Sequence, residues 1–599
     1  VPESASLDLA VIGNCQVSAL IDREGSIVWA CWPRPDADPI FCALLNPAGR
    51  DAARGILAIE LRGKTASHQS YVRNTAVVIT RLTDLEGGEV LITDFCPRFH
   101  SHGRTFRPAA LIRIIEPIRG RPFVRVRLHP SLNYGATEPT VTAGSHHMRF
   151  VGDGTAFRVT TDASLTCLEL DQPFVLDRSY TLLLGPDETV EQQLGALAAH
   201  WLVETKEYWS DWVRTLAVPF EWQEAVIRAA ITLKLCTYED TGAVLAALTT
   251  SIPEAPGTGR NWDYRYCWLR DAYFVVQALN RLGATRTMEG FLRFIGAIAA
   301  SGHWDQVRPL YAISGQDAIV ESIAPALAGY RGSGPVRIGN QAVEQRQYDV
   351  YGSLVLTSAQ SFFDERLAAP GNLASFLRLE SIGVQAIEAF GKPDAGPWEF
   401  RGVTRVHTFS AMMCWAACDR LARIATKVRA PDRATVWANE AARMREQILQ
   451  RAWSERRNCY VSTLDGRDDL DATLLLMPEL GLIEANDARF LATLAAIESD
   501  LLVNGYIMRY RHADDFGLPT TAFTVCTFWY VNALAMVGRR ADGIRYFEAL
   551  LSRQNHVGLL SEDLDPGTGE LWGNYPQTYS LVGIITSAIR LSRSWEAAI

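Results

Sequence analysis

Residues Asp394 to Arg401 read Asp-Ala-Gly-Pro-Trp-Glu-Phe-Arg, which sets Glu399 beside a tryptophan just ahead of a helical run. A carboxyl laid against an indole face loses hydration, which favours its neutral form and lets it stay an acid near neutral pH. That is how a proton donor for a glycosidic oxygen is made. A lone glutamate is more commonly solvated, or here paired with Arg401, so Glu399 needs a partner. The second carboxylate candidate is Glu562, in Gly-Leu-Leu-Ser-Glu-Asp-Leu-Asp over 558–565, ahead of a final apolar helix.

Between these two lies no obvious cofactor chemistry. The chain has no His-Glu-x-x-His, no P-loop and no Gly-rich turn between a strand and a helix. Asp563, Asp565 and Glu570 look like part of a calcium loop, but their spacing and glycines do not match an EF-hand. Cys414 and Cys418 are one helical turn apart with no second pair nearby, and read as core thiols rather than metal ligands. Turnover without metal or other cofactor is the expectation.

A binding wall is easier to see. Gly257 to Asp271 packs four aromatics, three arginines and two aspartates into fifteen residues. A saccharide has apolar ring faces and hydroxyl edges, which aromatic platforms beside Arg and Asp suit. Asp271 has a plainer reading as the N-cap of the following helix; Arg270 has none.

These residues need elements to hold them. Residues 1–190 carry short runs rich in Val, Ile, Phe and Leu between turn signals such as Asp22-Arg-Glu-Gly25, Leu85-Glu-Gly-Gly88 and Gly152-Asp-Gly154, the pattern of a large β-sandwich. Residues 191–218 read as a helical linker. From 219 to 599 the spacing predicts twelve helices, near 222–239, 268–282, 285–301, 341–363, 371–391, 406–426, 431–452, 469–476, 486–500, 522–537, 540–554 and 576–595. Six concentric helix pairs would account for them. Phe409, Met412, Met413 and Ala416 fall on one helical stripe, which reads as core holding the Glu399 loop in place.

Length and composition set the outer bounds. A chain of 599 residues implies at least two domains, and 48% hydrophobic with 21% charged residues is ordinary globular composition. A net charge of -9 argues against nucleic acid or an anionic membrane and suits a neutral ligand. Neither a signal peptide nor a membrane span is visible, and the 11 scattered cysteines fit a reducing compartment, so a cytoplasmic location is expected. Oligomeric state is not legible.

The ordered motifs, taken together, resemble glycoside hydrolase family 15, the inverting glucoamylase and trehalase family. They are Thr249-Thr-Ser-Ile-Pro-Glu254, Arg260 to Asp271, Gly329 to Asn340 running into Asp349-Val-Tyr-Gly352, Pro397-Trp-Glu399, Asp515-Phe-Gly517, Leu560-Ser-Glu562 and Gly573-Asn-Tyr-Pro-Gln577. Ile12-Gly13, Asp22 to Trp29 and Trp32 to Asp36 look like the amino-terminal β domain of bacterial members. The resemblance implies a supersandwich-like β-sandwich followed by an (α/α)6 barrel with a pocket at one end. It implies Glu399 as general acid and Glu562 as general base, Arg270 and Asp271 on the hydroxyls of a terminal glucose, Trp262, Tyr264 and Trp398 as walls, and Arg509 as a further sugar contact.

The chain departs from the family pattern at Ala411, where lysine is common, at Leu581, where histidine is common, and at Ser353, where an acid is common. Phe400 follows Glu399 where fungal glucoamylases carry a second glutamate. The implied activity is exo-acting hydrolysis of trehalose or short α-gluco-oligosaccharides with release of β-glucose. A glucoamylase acting mainly on α-1,4-glucans and a carbohydrate-binding protein without turnover are the alternatives. Loops 257–271 and 302–340 are expected to close around the terminal glucose.

Overall fold

The computed structural model describes residues 5–46, 54–300, 307–315 and 318–598. Within the amino-terminal third, two antiparallel sheets form. One runs in the order Leu9–Gly13, Ser18–Asp22, Ile27–Cys31, Ile56–Leu61, Phe123–His129 and Phe174–Val175, with Pro39–Phe41 paired to Ile27–Cys31. The other runs Thr140–Ala143, His147–Gly152, Thr155–Thr161, Tyr180–Gly185, Leu111–Arg119, Glu89–Phe95, Val78–Asp84 and Lys64–Tyr71.

The turn signals work as read. Asp22 Oδ1 accepts the N–H groups of Glu24 and Ser26 while Gly25 takes φ +83°, a left-handed conformation that costs glycine nothing. The two sheets pack face to face through Leu9–Gly13 and Ile56–Leu61 against Val78–Asp84. Between them Arg113, wholly buried, pairs with Asp94 and donates to the carbonyls of Leu57 and Gly25, a polar strut across an apolar core.

Helix Leu194–Arg214 packs on Phe99–Ser101 and Tyr180–Gly185, with Trp201 against Phe99 and Phe106. Beyond it the helices form two rings. The inner ring closes on itself: Leu269–Arg281, Asp349–Phe363, Thr408–Lys427, the turn-and-helix Ala472–Leu476 and Met477–Leu480, Thr524–Met536, then Thr578–Leu591 back against Leu269–Arg281. The outer ring is Gln223–Leu235, Thr285–Ala300, Leu373–Ala389, Pro431–Arg451, Ala488–Leu501 and Arg540–Leu551, each packed on its inner neighbour. This is a β-sandwich followed by an (α/α)6 barrel.

Inner helices are apolar nearly all round because both faces are covered, as Thr524–Met536 shows. They also approach closely. A Cβ on Gly352 would lie 2.4 Å from the carbonyl oxygen of Met413 on the next inner helix, so only glycine fits there. The stripe of Phe409, Met412, Met413 and Ala416 is buried, as are Cys414 and Cys418.

Two helices differ from expectation: in place of 469–476 stands the 3-10 turn Ala472–Leu476 leading into the short helix Met477–Leu480, and the other lies ahead of Asp349. Residues 341–363 are not continuous: Gln341–Glu344 is a 3-10 turn and the helix starts at Asp349. The side chains of Gln345 and Gln347 are drawn instead to the Glu399 loop and to Arg270. Among the described residues, no helix is long and apolar enough to cross a membrane.

Candidate active site

The amino-terminal ends of the inner helices, with the loops that lead into them, line a cavity of about 970 Å³ counting the solvent at its open mouth. Every residue singled out from the sequence lines it: Glu399, Glu562, Arg270, Asp271, Trp262, Tyr264, Trp398 and Arg509. The sandwich backs these loops. Arg265, fully buried, pairs with Asp263 and donates to Tyr134 and the carbonyl of Ala37, while Tyr575 and Asn555 donate to the carbonyl of Leu9.

Glu399 sits in a tight turn. Its own φ is +59°, left-handed and costing roughly 1–2 kcal/mol for a residue with a Cβ, and Gln345 Nε2 holds the carbonyls of Glu399 and Phe400 at 3.1 and 3.3 Å. The preceding Gly396 packs on His407 so closely that a Cβ would lie 2.5 Å from its ring.

The expected indole contact takes another form. Trp398 turns its N–H to Asp471 at 2.9 Å, and it is Trp268 that donates to Glu399 Oε1, at 2.7 Å, joined by Arg270 at 3.1 Å. Oε2 of Glu399 accepts no hydrogen bond among the described residues. Arg401, the alternative partner, pairs with Glu321 instead.

Arg270 is almost wholly buried and divides its donors among Gln347, Asp349 and Glu399. Asp271 is not an N-cap. The cap is Trp268, and Asp271 lies in the first turn with its carboxyl lining the cavity. Burial raises it to about 7 despite Arg270 alongside, which favours its neutral form.

Glu562 is 1% exposed. Its Oε1 accepts the Tyr264 hydroxyl at 2.6 Å and its Oε2 the backbone N–H of Asn574 at 3.2 Å. Burial, then the neighbouring Asp563 and Glu254, push its carboxyl well above the usual range, with Tyr264 and Arg509 opposing. Gly573 at φ +75° lies under Glu562, where a Cβ would come within 2.6 Å of the glutamate's own.

Arg509 is committed to protein carboxylates: Nη2 reaches Glu254 at 2.7 Å and Asp563 at 3.1 Å. Glu254, Glu562 and Asp563 can bring three oxygens within 4.8 Å of one another, but this guanidinium already serves two of those residues. The acidic loop divides otherwise: Asp565 accepts from Gly567 in a turn and Glu570 pairs with Arg331. Trp262 donates to Glu254 and carries the guanidinium groups of Arg401 and Arg337 over its ring at 4.3 and 5.2 Å.

Three contributors are not singled out from sequence, Glu254, Trp268 and Asp349, and Asp563 reads there as part of a calcium loop rather than as a neighbour of Glu562. All three lie in quoted motifs, but only folding shows that Glu254 anchors Arg509, Trp268 addresses Glu399 and Asp349 pairs with Arg270. Of the departures, Ser353, Ala411 and Leu581 are all buried behind the cavity wall and none lines it. From the loop 302–340, Asn340 lines the cavity, and residues 302–306 and 316–317 lie outside the described residues.

A family described as glycosyl hydrolases family 15 matches residues 222–589, and one described as trehalase-like, N-terminal, matches 4–163. A trehalase of Thermoplasma volcanium is 30% identical over 596 residues, covering 97% of this chain and 93% of that protein. A trehalase of Mycolicibacterium smegmatis is 31% identical over 638 residues, covering 99% and 92%. In fold, the chain is similar to a crystal structure of a bacterial glucoamylase complexed with acarbose, with a TM-score of 0.68 at 14% identity, covering 98% of this chain and 94% of that one. The chain belongs to glycosyl hydrolase family 15, and it is a glycoside hydrolase with a trehalase-like amino-terminal domain.

Proposed function

We propose that the protein hydrolyses trehalose and short α-glucosides with inversion, Glu399 protonating the glycosidic oxygen and Glu562 activating water. The observation that carries this reading is the pair of carboxylates lining one cavity, Glu399 with Oε2 free of protein donors and Glu562 held between Tyr264 and a backbone N–H. Two carboxyl groups acting from opposite sides of the bond, with room for a water, are the requirement for inversion. Relatives called trehalases over nearly the full length favour trehalose as substrate. Arg270 and Asp271 would hold the hydroxyls of the terminal glucose. The free thiols of this chain, nearly all buried, support a reducing, cytoplasmic setting.

Substrate size gives the test. A panel of trehalose, maltose, isomaltose, maltotriose and soluble starch, read by glucose release at equal concentration of chain ends, is expected to show rates falling beyond a few units. Faster turnover of soluble starch than of every small sugar would make the protein a glucoamylase in action.

The pH profile tests the roles. A base works ionised, so activity falls as pH drops through its pKa, and the environment of Glu562 places that acid limb above the ordinary value of 4.5. Asp563→Asn removes a neighbouring negative charge, which lowers the Glu562 pKa and moves the acid limb to lower pH. The raised pKa of Glu562 also fits a proton donor, the reverse assignment. In that case Asp563→Asn would move the basic limb of kcat/KM and leave the acid limb in place.

A further inference from the structure

Behind the loop that carries Glu399 lies a second cavity, open to solvent on one side. Trp398, Phe400, Asp514 and Asp515 line both cavities and form the partition. Trp398, Phe400, His407 and His512 give part of its wall aromatic rings. Phe400 stacks on His407 with centroids 5.8 Å apart and faces His512 at 5.9 Å, and His512 lies flat on Tyr510 at 4.4 Å. The remaining lining is mostly polar, with Thr463, Asp469 and Arg467 among it, and Val403 and Ala513 are its apolar members.

Oγ1 of Thr463, a lining residue 4% exposed, has no hydrogen-bond partner; Nε2 of His407 also has none, but it lies against Gly396 rather than facing the space. Buried polar groups are normally paired, by protein, water or ligand. Burial lowers His407 to about 4, so near neutral pH its ring is uncharged and has one donor and one acceptor nitrogen. Aromatic faces beside hydroxyl, carboxylate and guanidinium groups present the two chemistries of a pyranose, an apolar ring face and a polar edge.

We propose that this cavity is a second sugar site, taking one neutral pyranose ring. The ring is either a free monosaccharide or the distal unit of a longer glucan. The proposal rests on the first cavity being the hydrolytic site. Because Trp398 and Phe400 flank Glu399 in the chain, a ring seated behind them touches both neighbours of that carboxyl and acts on turnover without entering the first cavity.

The test uses the full chain, with glucose as the probe. Val403 lines the second cavity and is 41% exposed, so Val403→Trp fills the space, and Thr463→Val removes the unpaired hydroxyl in a milder way. For a free monosaccharide, glucose should inhibit trehalose hydrolysis in a mixed manner in the parent and in a purely competitive manner in both variants, with kcat in the absence of glucose within about twofold. For a distal unit, inhibition is competitive throughout, but kcat/KM for maltotetraose relative to maltose falls at least fivefold in Val403→Trp. Competitive inhibition in the parent with that ratio unchanged in both variants would overturn the site, as would a more than tenfold loss of kcat without glucose in both. If the parent hydrolyses none of these sugars, the functional reading fails. Calorimetry of glucose binding to parent and Val403→Trp then decides the site alone, two sites against one supporting it and equal stoichiometry overturning it.

Discussion

Glu399→Gln is expected to lower kcat on trehalose by a factor on the order of 10³, and Glu562→Gln by a comparable factor, since each removes one half of a general acid and base pair. The two losses separate with an activated leaving group. α-Glucosyl fluoride departs without a proton, so Glu399→Gln should retain most of its turnover on the fluoride whereas Glu562→Gln should not. The amide keeps an oxygen where Trp268 and Arg270 donate, so the loop geometry survives the first substitution. Full activity of Glu399→Gln on trehalose would remove it from the chemistry, and the opposite pattern on the fluoride would exchange the two roles. A protein that bound sugars without turnover would have no activity to lose.

The second large effect concerns Arg270. Among the described residues its guanidinium is the one side-chain partner of Asp349, a carboxylate with no exposure whose Oδ1 already lacks a partner. Arg270→Met therefore strands a buried charge, an event that costs about 3–5 kcal/mol, and also removes one of two donors to Glu399. Denaturation should show that loss of stability, together with a fall in kcat. The double variant Arg270→Met with Asp349→Asn should regain most of the stability and none of the activity. Parent-like stability in Arg270→Met would contradict the buried pairing, and recovery of activity in the double variant would contradict a role for Arg270 at the acid.

Much of this arrangement was legible in the chain. Helix periodicity placed the inner and outer rings to within a few residues because their apolar faces are continuous, and the turn at Asp22 to Gly25 was announced by residues that can take its conformation. The break ahead of Asp349 was not legible, since Gln345 and Gln347 are ordinary helix formers until Glu399 and Arg270 are brought to them by tertiary structure. The tryptophan beside Glu399 in sequence suggested desolvation by that ring. In the folded chain it serves Asp471, and a tryptophan 131 residues away reaches the carboxyl through its N–H. Adjacency in sequence could find the site but not the direction in which its rings face.

Glu254 shows the same limit. As a single acid after Ser-Ile-Pro it has no local signal, yet it anchors Arg509 and Trp262 and helps raise Glu562. The departures at Ser353, Ala411 and Leu581 carry no position in sequence; they lie in the packed interior behind the cavity wall, where a change of size or charge acts on helix spacing before it acts on substrate.

Stereochemistry tests the central claim most directly. Trehalose joins two glucose units through α-configured anomeric carbons, and inversion converts the attacked unit to β while the departing unit leaves as α. Proton NMR of the products, recorded before mutarotation, should therefore show α- and β-glucose in equal amounts when water is activated by one carboxylate and the leaving oxygen is protonated by the other. Release of α-glucose alone would mean retention through a covalent intermediate, and would contradict the assignment of Glu399 and Glu562 as acid and base.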